Sequence, residues 1–266
     1  MKIYIFFFAA LIASSRSLSQ KTIRSESIQS LYVEVYKDNM RLGSATGFLI
    51  RSKTRPYLIT NYHVVTNKNS WDGNWINPQI PISPNKILIN QNGKEIGSHL
   101  AKVESLISSR GDTLWHRNKI GNEMVDVIEL PLTDTSNIVI YSVDYQNTTD
   151  SLQISPTDRV FIPGFPLGLR ASNDLAIWKS GFIASEPDLD QEDKPIIWLD
   201  ETPFPGMSGS PVYYISKDLN YKNGTPWLGF YSQSFFMGVF AHGNVKGVYG
   251  ALWKASFLKK IFDALP

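Results

Sequence analysis

A glycine-rich turn near the C-terminal third of the chain carries the residue types that nucleophilic chemistry needs. Its sequence is Gly206-Met207-Ser208-Gly209-Ser210-Pro211. A serine hydroxyl is a weak nucleophile at neutral pH, so it needs a base within hydrogen-bond reach and a third group that orients the base. The turn by itself also fits an ordinary loop, and its interpretation therefore depends on the two partners.

His63 is the histidine whose context favours the role of base. It stands in a run with strand character, Ile59-Thr60-Asn61-Tyr62-His63-Val64-Val65, well upstream of the serine. Imidazole is the side chain whose ordinary pKa suits proton transfer near neutral pH. A histidine beside two valines is also compatible with a hydrogen-bonded core residue, but together with the serine turn this run predicts a general base.

Asp126 is the carboxylate that fits the orienting role. It lies within Met124-Val125-Asp126-Val127-Ile128, where it is expected to face inward and must then have a partner. Asp112, Asp134 and Asp144 have less apolar contexts and stay as alternatives. The order His, Asp, Ser is one of the known chain orders of the catalytic triad, and only a fold that brings distant strand ends together can assemble it.

The backbone of the serine turn predicts an oxyanion hole. Gly206 has no Cβ, so the chain can turn with the N–H groups of Gly206 and Ser208 both directed at a developing oxyanion. Such donors contribute roughly 3 kcal/mol each. Gly209 allows close approach behind the nucleophile, and Pro205 and Pro211 stiffen both flanks.

Composition excludes several classes of function. The chain has 266 residues, a net charge of +2, 42% hydrophobic and 19% charged residues, which is typical of a globular protein and gives no basis for binding nucleic acid. It has no cysteine, which excludes disulfides and a thiol nucleophile. Nothing in the sequence indicates a metal, nucleotide or other cofactor, and the oligomeric state is left open.

Residues 1–19 have the pattern of a secretory signal peptide. Lys2 precedes an apolar run over residues 3–13, and Ser17 and Ser19 provide small residues for cleavage before Gln20. We expect an exported protein, periplasmic or secreted, with no stable membrane insertion once the signal is removed. Retention of the segment as an anchor is the alternative, although the apolar run is short for a span of ~20 residues.

Short segments rich in β-branched and aromatic residues recur between turn signals and predict an all-β fold. We expect two packed six-stranded antiparallel β-barrels over residues 24–146 and 147–252, carrying His63 with Asp126 and Ser208 respectively, and a C-terminal α-helix over 253–266. Thr66–Asn85 and Asp188–Pro195 are predicted to be surface excursions. The predicted strands are Leu31–Tyr36, Thr46–Ile50, Tyr57–Thr60, Lys86–Ile89, Val125–Leu130, Asn137–Val143, Val160–Ile162, Ala176–Ile183, Ile196–Leu199, Pro211–Ile215, Phe235–Phe240 and Gly247–Trp253.

The chain resembles the trypsin-like serine peptidases of the chymotrypsin fold, in particular their bacterial cysteine-free branch. The stretches that carry the resemblance are Ala45–Ile50, Ile59–Val65, Val125–Leu132, Gly164–Gly168, Trp178–Pro187 and Phe204–Val212. The resemblance implies His63 as base, Asp126 as its orienter, Ser208 as nucleophile, and the Gly206 and Ser208 amides as oxyanion hole. Met207 stands where digestive members carry an aspartate that pairs with a new N-terminus, so activation by that route is not expected.

The substrate pocket follows from the same resemblance. It places the pocket floor at Thr202 and one wall at Ala241, His242 and Gly243, with an uncharged residue preferred before the scissile bond unless Glu201 or Asp200 serves as an acidic floor. The implied substrate is a protein or peptide.

The leading hypothesis is an exported serine endopeptidase that works through an acyl-enzyme. Three alternatives stay open: a catalytically silent or latent binding protein of the same fold that awaits a partner, an esterase of this fold, and an α/β-hydrolase using Ser208, Asp218 and His242. The last is disfavoured because Ser210 replaces the glycine that its nucleophile turn requires and because alternating helices are missing.

Overall fold

The computed structural model of the protein describes residues 23–95, 97–216, 233–241 and 248–266, and in these ranges it is built mainly from antiparallel strands. The predicted signal segment, residues 1–19, lies outside the described residues. None of the helices in the described ranges is long and apolar enough to cross a membrane.

The N-terminal half of the chain forms one antiparallel sheet of seven strands in the order β5-β4-β1-β2-β3-β7-β6. Within the described ranges, β5 and β6 do not pair with each other, so this barrel is not fully closed, and it has one strand more than predicted. Its strands are β1 Ser30–Lys37, β2 Met40–Arg51, β3 Pro56–Thr60, β4 Lys86–Asn92, β5 His99–Ser105, β6 His116–Ile120 and β7 Glu123–Pro131.

The C-terminal half forms a closed barrel of six strands in the order β10-β13-β12-β11-β8-β9, as predicted. Closure pairs every strand on both sides and leaves no open sheet edge. The strands are β8 Arg159–Gly164, β9 Ile177–Ile183, β10 Ile196–Asp200, β11 Pro211–Ser216, β12 Gln233–Ala241 and β13 Gly250–Lys254.

The described ranges also contain three short α-helices: α1 Ser25–Gln29 before β1, α2 Tyr62–Thr66 between β3 and β4, and α3 Ala255–Asp263 after β13. The helix predicted at the C-terminus is confirmed as α3, whose Leu258 and Phe262 are buried in a core that includes residues of both sheets. In the same core, Phe48 of β2 meets Phe236 of β12 edge to face with ring centroids 5.7 Å apart. Apolar packing between the halves therefore fixes the cleft that separates them.

Two local predictions were wrong. The segment Asn137–Val143 is not a strand: it begins in a turn, with Asn137 at φ +61°, and its amides bond to two different segments, the Val139 N–H to the Asn92 carbonyl and the Val143 N–H to the Leu49 carbonyl. His63 lies in the helix α2 rather than in a strand. The strands β5 and β6 were missed because they lie at the sheet edges and are largely polar and exposed, so the alternation that indicates a strand is weak.

Candidate active site

The pairing of β3 with β7 sets His63 beside Asp126. Thr60, at the end of β3, pairs with Ile128, and α2 begins two residues later. The Asp126 carboxylate accepts two hydrogen bonds from the same histidine, one from the His63 backbone N–H at 3.0 Å and one from Nδ1 at 2.8 Å. The Asn61 amide donates to the Asp126 carbonyl oxygen at 2.6 Å and so ties β7 to the start of α2.

The other ring nitrogen of His63 faces the serine. Nε2 lies 2.8 Å from the Ser208 hydroxyl oxygen. Because the carboxylate of Asp126 can only accept when ionised, it holds a proton on Nδ1 and leaves Nε2 free to accept the Ser208 proton. Asp126 is only 6% exposed, which protects this arrangement from competition by water.

The serine turn depends on two left-handed glycines. Gly206 has φ +95° and Gly209 has φ +85°. A Cβ on Gly206 would collide with the carbonyl oxygen of Phe165, and one on Gly209 would collide with the carbonyl oxygen of Thr46. The turn therefore needs glycine at both places, for conformation and for space.

Two amides of this turn have no partner in the described part of the chain. The N–H groups of Met207, Gly209 and Ser210 donate to protein carbonyls, whereas those of Gly206 and Ser208 donate to none. The Leu167 N–H donates to the Pro205 carbonyl at 2.6 Å. In a trans peptide the carbonyl and the next N–H point in opposite directions, so the Gly206 N–H is held away from Leu167 and free for an anionic oxygen.

Thr46 of β2 supports the turn from the opposite sheet, and the sequence analysis gave it no role. Its buried hydroxyl donates to the Gly206 carbonyl at 2.7 Å and accepts from the Phe165 N–H at 3.1 Å. Its backbone N–H donates to the Ser208 carbonyl at 2.9 Å. A signal existed in the sequence: a polar residue inside the apolar run Ala45–Ile50 must find a buried partner.

The predicted pocket residues are only partly described. Thr202 is exposed and its carbonyl accepts from the Lys179 ammonium at 3.0 Å, while Ala241 is buried in β12. His242 and Gly243 lie outside the described residues. Glu201, considered as an acidic floor, is buried and forms an ion pair with Lys179. Met207 is fully buried in the core of the C-terminal barrel.

The alternative aspartates bond elsewhere. Asp112 pairs with Ser108, and Asp144 accepts from the Gln146 N–H. Lys102 donates to Asp134 and holds the pKa of that carboxyl well below its usual range. Asp126 is thus the aspartate that the structure brings to His63. The antiparallel all-β fold also excludes the α/β-hydrolase alternative, whose Asp218 and His242 lie outside the described residues.

Comparison with solved structures finds similarity to a human heparin binding protein and to serine proteases. A human heparin binding protein aligns with a TM-score of 0.50 at 11% identity, over 92% of this chain and 94% of that one. A serine endoprotease from Yersinia pestis aligns with a TM-score of 0.47 at 14% identity, over 89% of this chain. The alignment covers 62% of the endoprotease, so this chain spans less than two thirds of its length. A thermostable serine protease from an extremophilic microorganism gives 0.48 and 10%, over 90% and 97%.

At such identities the likeness concerns the fold alone. No curated protein matches the chain in sequence. The model of one protein family does match, over residues 45–218, a segment that begins one residue before Thr46 and includes His63, Asp126 and Ser208. The chain therefore belongs to the family of trypsin-like peptidase domains.

Proposed function

We propose that the protein is an exported serine endopeptidase that hydrolyses peptide bonds through an acyl-enzyme on Ser208. The observation that carries this proposal is the continuous series of hydrogen bonds from Asp126 through His63 to Ser208, next to the two unpaired amides of Gly206 and Ser208. Each part of this arrangement has a task in acyl transfer.

In the first half of the reaction, the Ser208 hydroxyl oxygen attacks the carbonyl carbon of the scissile bond and His63 Nε2 takes its proton. The negative charge moves to the carbonyl oxygen, where the N–H groups of Gly206 and Ser208 stabilise it. Asp126 stabilises the imidazolium that forms. Collapse of the intermediate breaks the C–N bond, and His63 returns the proton to the departing amine.

In the second half, water attacks the ester carbon while His63 takes one of its protons. The same two amides stabilise the second oxyanion, the bond to Ser208 breaks, and His63 returns the proton to the serine oxygen. The carboxylic acid leaves and the resting arrangement is restored. No group outside the chain is needed for this proton balance other than water.

A catalytically silent or latent binding protein is the second candidate, and the specific observation in its favour is the fold shared with the human heparin binding protein. A latent enzyme of this fold would need its oxyanion hole completed by a partner. The hydrogen bond from the Leu167 N–H to the Pro205 carbonyl supports the active candidate. Because the Pro205 carbonyl points towards Leu167, the Gly206 N–H of the same peptide points the opposite way and is available to an oxyanion without a partner protein.

A fluorophosphonate probe separates these candidates, since it reacts only with an activated serine. We expect covalent labelling of the wild type and of Ser210→Ala, and none of Ser208→Ala. Ser210 is a matched control because it is buried two residues away in the same turn. An unlabelled, well-folded wild type would contradict the active candidate and favour the binding protein.

An esterase of the same fold would also be labelled, so labelling must be followed by a peptide-library digest. Cleavage of internal peptide bonds supports the endopeptidase, whereas turnover of esters alone would contradict it. Export has a separate test, because it rests on residues 1–19. Protein recovered from outside the cytoplasm is expected to begin at Gln20, as read by N-terminal sequencing; recovery of full-length protein from the cytoplasm would overturn export.

A further inference from the structure

A largely apolar cleft of about 350 Å³ opens beside Ser208. Its wall includes Val35 and Leu42 of the N-terminal sheet, Ile76 and Ile80 of the excursion after α2, and Phe204. Among the described residues that line it, none is Asp, Glu, Lys or Arg. The chemistry of the cleft therefore favours an uncharged, apolar side chain.

The cleft lies on the side of Ser208 where a leaving group would depart. His63 and the next residue, Val64, line it, whereas no described residue of β12 does. In acyl transfer the base must hand its proton to the departing amine, so the segment that follows the scissile bond lies against His63. The residues predicted for the acyl side, Thr202 and Ala241, are not part of this cleft.

The wall formed by the excursion is held in place by Asn67. This residue ends α2 in the left-handed conformation, with φ +56° and its N–H bonded to the His63 carbonyl at 2.8 Å. The side-chain amide of Asn67 donates to the Ile80 carbonyl at 2.7 Å, and the backbone carbonyl of Asn67 accepts from the Ile76 N–H at 2.9 Å. The wall is thus preformed rather than assembled around a ligand, which lowers the entropic cost of binding.

Apolar surface is left open around this cleft. Ile76 is 46% exposed, Ile80 37% and Phe204 40%. Large apolar side chains that converge on a concave site commonly mark a binding surface. Here the concave site contains the nucleophile and its base, so the surface belongs with the substrate rather than with a separate partner.

We propose that this cleft selects substrates with a large apolar side chain on the residue directly after the scissile bond. The inference rests on the proposed endopeptidase activity and names the class of peptide that it takes. Ile76 and Ile80 are the specificity-determining residues, because they form the wall that the excursion adds. Burial of such a side chain gives a preference of about 10- to 100-fold over glycine or a charged residue.

The first test is a set of quenched fluorescent peptides that differ only in the residue after the scissile bond. We expect kcat/KM for Leu, Ile, Met or Phe to exceed that for Gly, Lys or Asp by at least about 10-fold. Cleavage with no preference at this position would overturn the inference while leaving the endopeptidase proposal intact.

Charge substitutions at Ile80 give a second test that a loss of folding cannot imitate. Ile80→Asp is expected to raise the Lys-to-Leu ratio of kcat/KM, and Ile80→Lys to raise the Asp-to-Leu ratio, each by about 10-fold. Val103→Asp and Val103→Lys are matched controls, since Val103 is an exposed apolar residue outside the cleft, and the ratios should stay at their wild-type values. Ratios that do not change in the Ile80 variants would overturn the assignment.

Binding to Ser208→Ala tests the cleft without turnover. Short peptides that begin with Leu represent the leaving segment, and methyl NMR of isotope-labelled isoleucines reports on Ile76 and Ile80. We expect shifts of both signals with the Leu peptide and at least about 10-fold weaker binding of the Lys peptide. If the wild-type protein cleaves no peptide while Ser208→Ala shows this binding, the endopeptidase proposal is refuted and the cleft is retained. Equal binding of both peptides would refute the cleft.

Discussion

The N-terminal and C-terminal halves of the chain hold their residues of the candidate site by different means. In the N-terminal half, Asp126 takes all its named partners from that half, through two hydrogen bonds from His63 and a third from Asn61. In the C-terminal half, the serine turn takes part of its support from the other half, because Thr46 donates two hydrogen bonds to it, to the Gly206 and Ser208 carbonyls.

The two parts of the site therefore depend on packing between the halves to different degrees. His63 and Asp126 are held together by contacts within the N-terminal half, whereas the turn of Gly206 and Ser208 depends on Thr46 of the other half. Under the proposed mechanism, a substitution that separates His63 from Asp126 is expected to abolish proton transfer. A substitution that weakens the support of the serine turn is expected to displace Ser208 and the Gly206 amide without changing their chemistry.

Asp126→Asn tests the contact between Asp126 and His63 and has the largest expected effect on activity. The amide that replaces the carboxylate can present a donor to His63 Nδ1, which favours the wrong tautomer, so kcat is expected to fall by about 10⁴. Peptide hydrolysis gives the rate, and circular dichroism checks that the fold is retained. Asp134→Asn is the control with no loss expected; a reversal of the two results would assign the orienting role to Asp134.

Thr46→Val tests the support that crosses between the halves. It keeps the shape but leaves the Gly206 carbonyl and the Phe165 N–H without their buried partner, at a cost of about 1–3 kcal/mol. We expect kcat to fall about 10-fold with a smaller change in KM, because the oxyanion amides act mainly in the transition state. Thr46→Ser keeps the hydroxyl and should recover most of the rate.

The alternative for Thr46 is a role in stability alone. In that case Thr46→Val would lower the melting temperature but leave kcat within about 2-fold of the wild type, and Thr46→Ser would behave no differently in turnover. Parallel melting and kinetic measurements on the two variants decide between these outcomes. The result shows whether the serine turn depends on the opposite sheet.

A substitution at Glu129 in the N-terminal sheet is expected to change the pH dependence of stability and to have the smallest effect on activity. It is fully buried on β7, the Asn118 amide donates to both of its carboxylate oxygens at 3.1 Å, and burial raises its pKa to about 8. Between pH 4.5 and pH 8 the unfolded chain releases this proton while the folded chain keeps it, so stability falls as pH rises.

Glu129→Gln removes this titration. We expect the variant to gain stability over the wild type as pH rises from about 5 to about 8, by several degrees in Tm, since ~1 kcal/mol corresponds to about 2–4 °C in a chain of this size. Thermal melts across that range measure the gap, and kcat should stay unchanged. A gap that is independent of pH would show that the Glu129 carboxyl titrates normally in the folded protein.

The sequence was informative where residue type and chemistry coincide. Ser208, His63 and Asp126 could be singled out because a nucleophile, a base and an inward carboxylate each restrict the residues around them, and the structure brings the three side chains together. The recurrence of short apolar segments predicted an all-β fold, and the need to bring these three residues together predicted two packed barrels, of which the C-terminal one is closed. The helix α2 was not predicted, since five residues are too few to show a helical period.

Other features arise only from contacts between distant segments. Thr46 contacts Gly206 and Phe165, and nothing near it in the sequence specifies those partners. The apolar cleft is formed by residues of the first two strands, the excursion and the serine turn, of which the excursion was predicted only as a surface loop. Composition indicates that such a loop is exposed, but it does not indicate what its two isoleucines face.

Asn67 has a consequence for how this active site can change. Its backbone fixes the end of the helix that carries His63, and its side chain fixes the loop that carries Ile76 and Ile80. The same loop is also anchored outside the cleft, because the Ser70 carbonyl accepts from the Met124 N–H at 3.3 Å and Trp71 packs against the core. Under the proposed function, a redesign of substrate preference would therefore keep Asn67, Ser70 and Trp71 and vary the residues around Ile76 and Ile80.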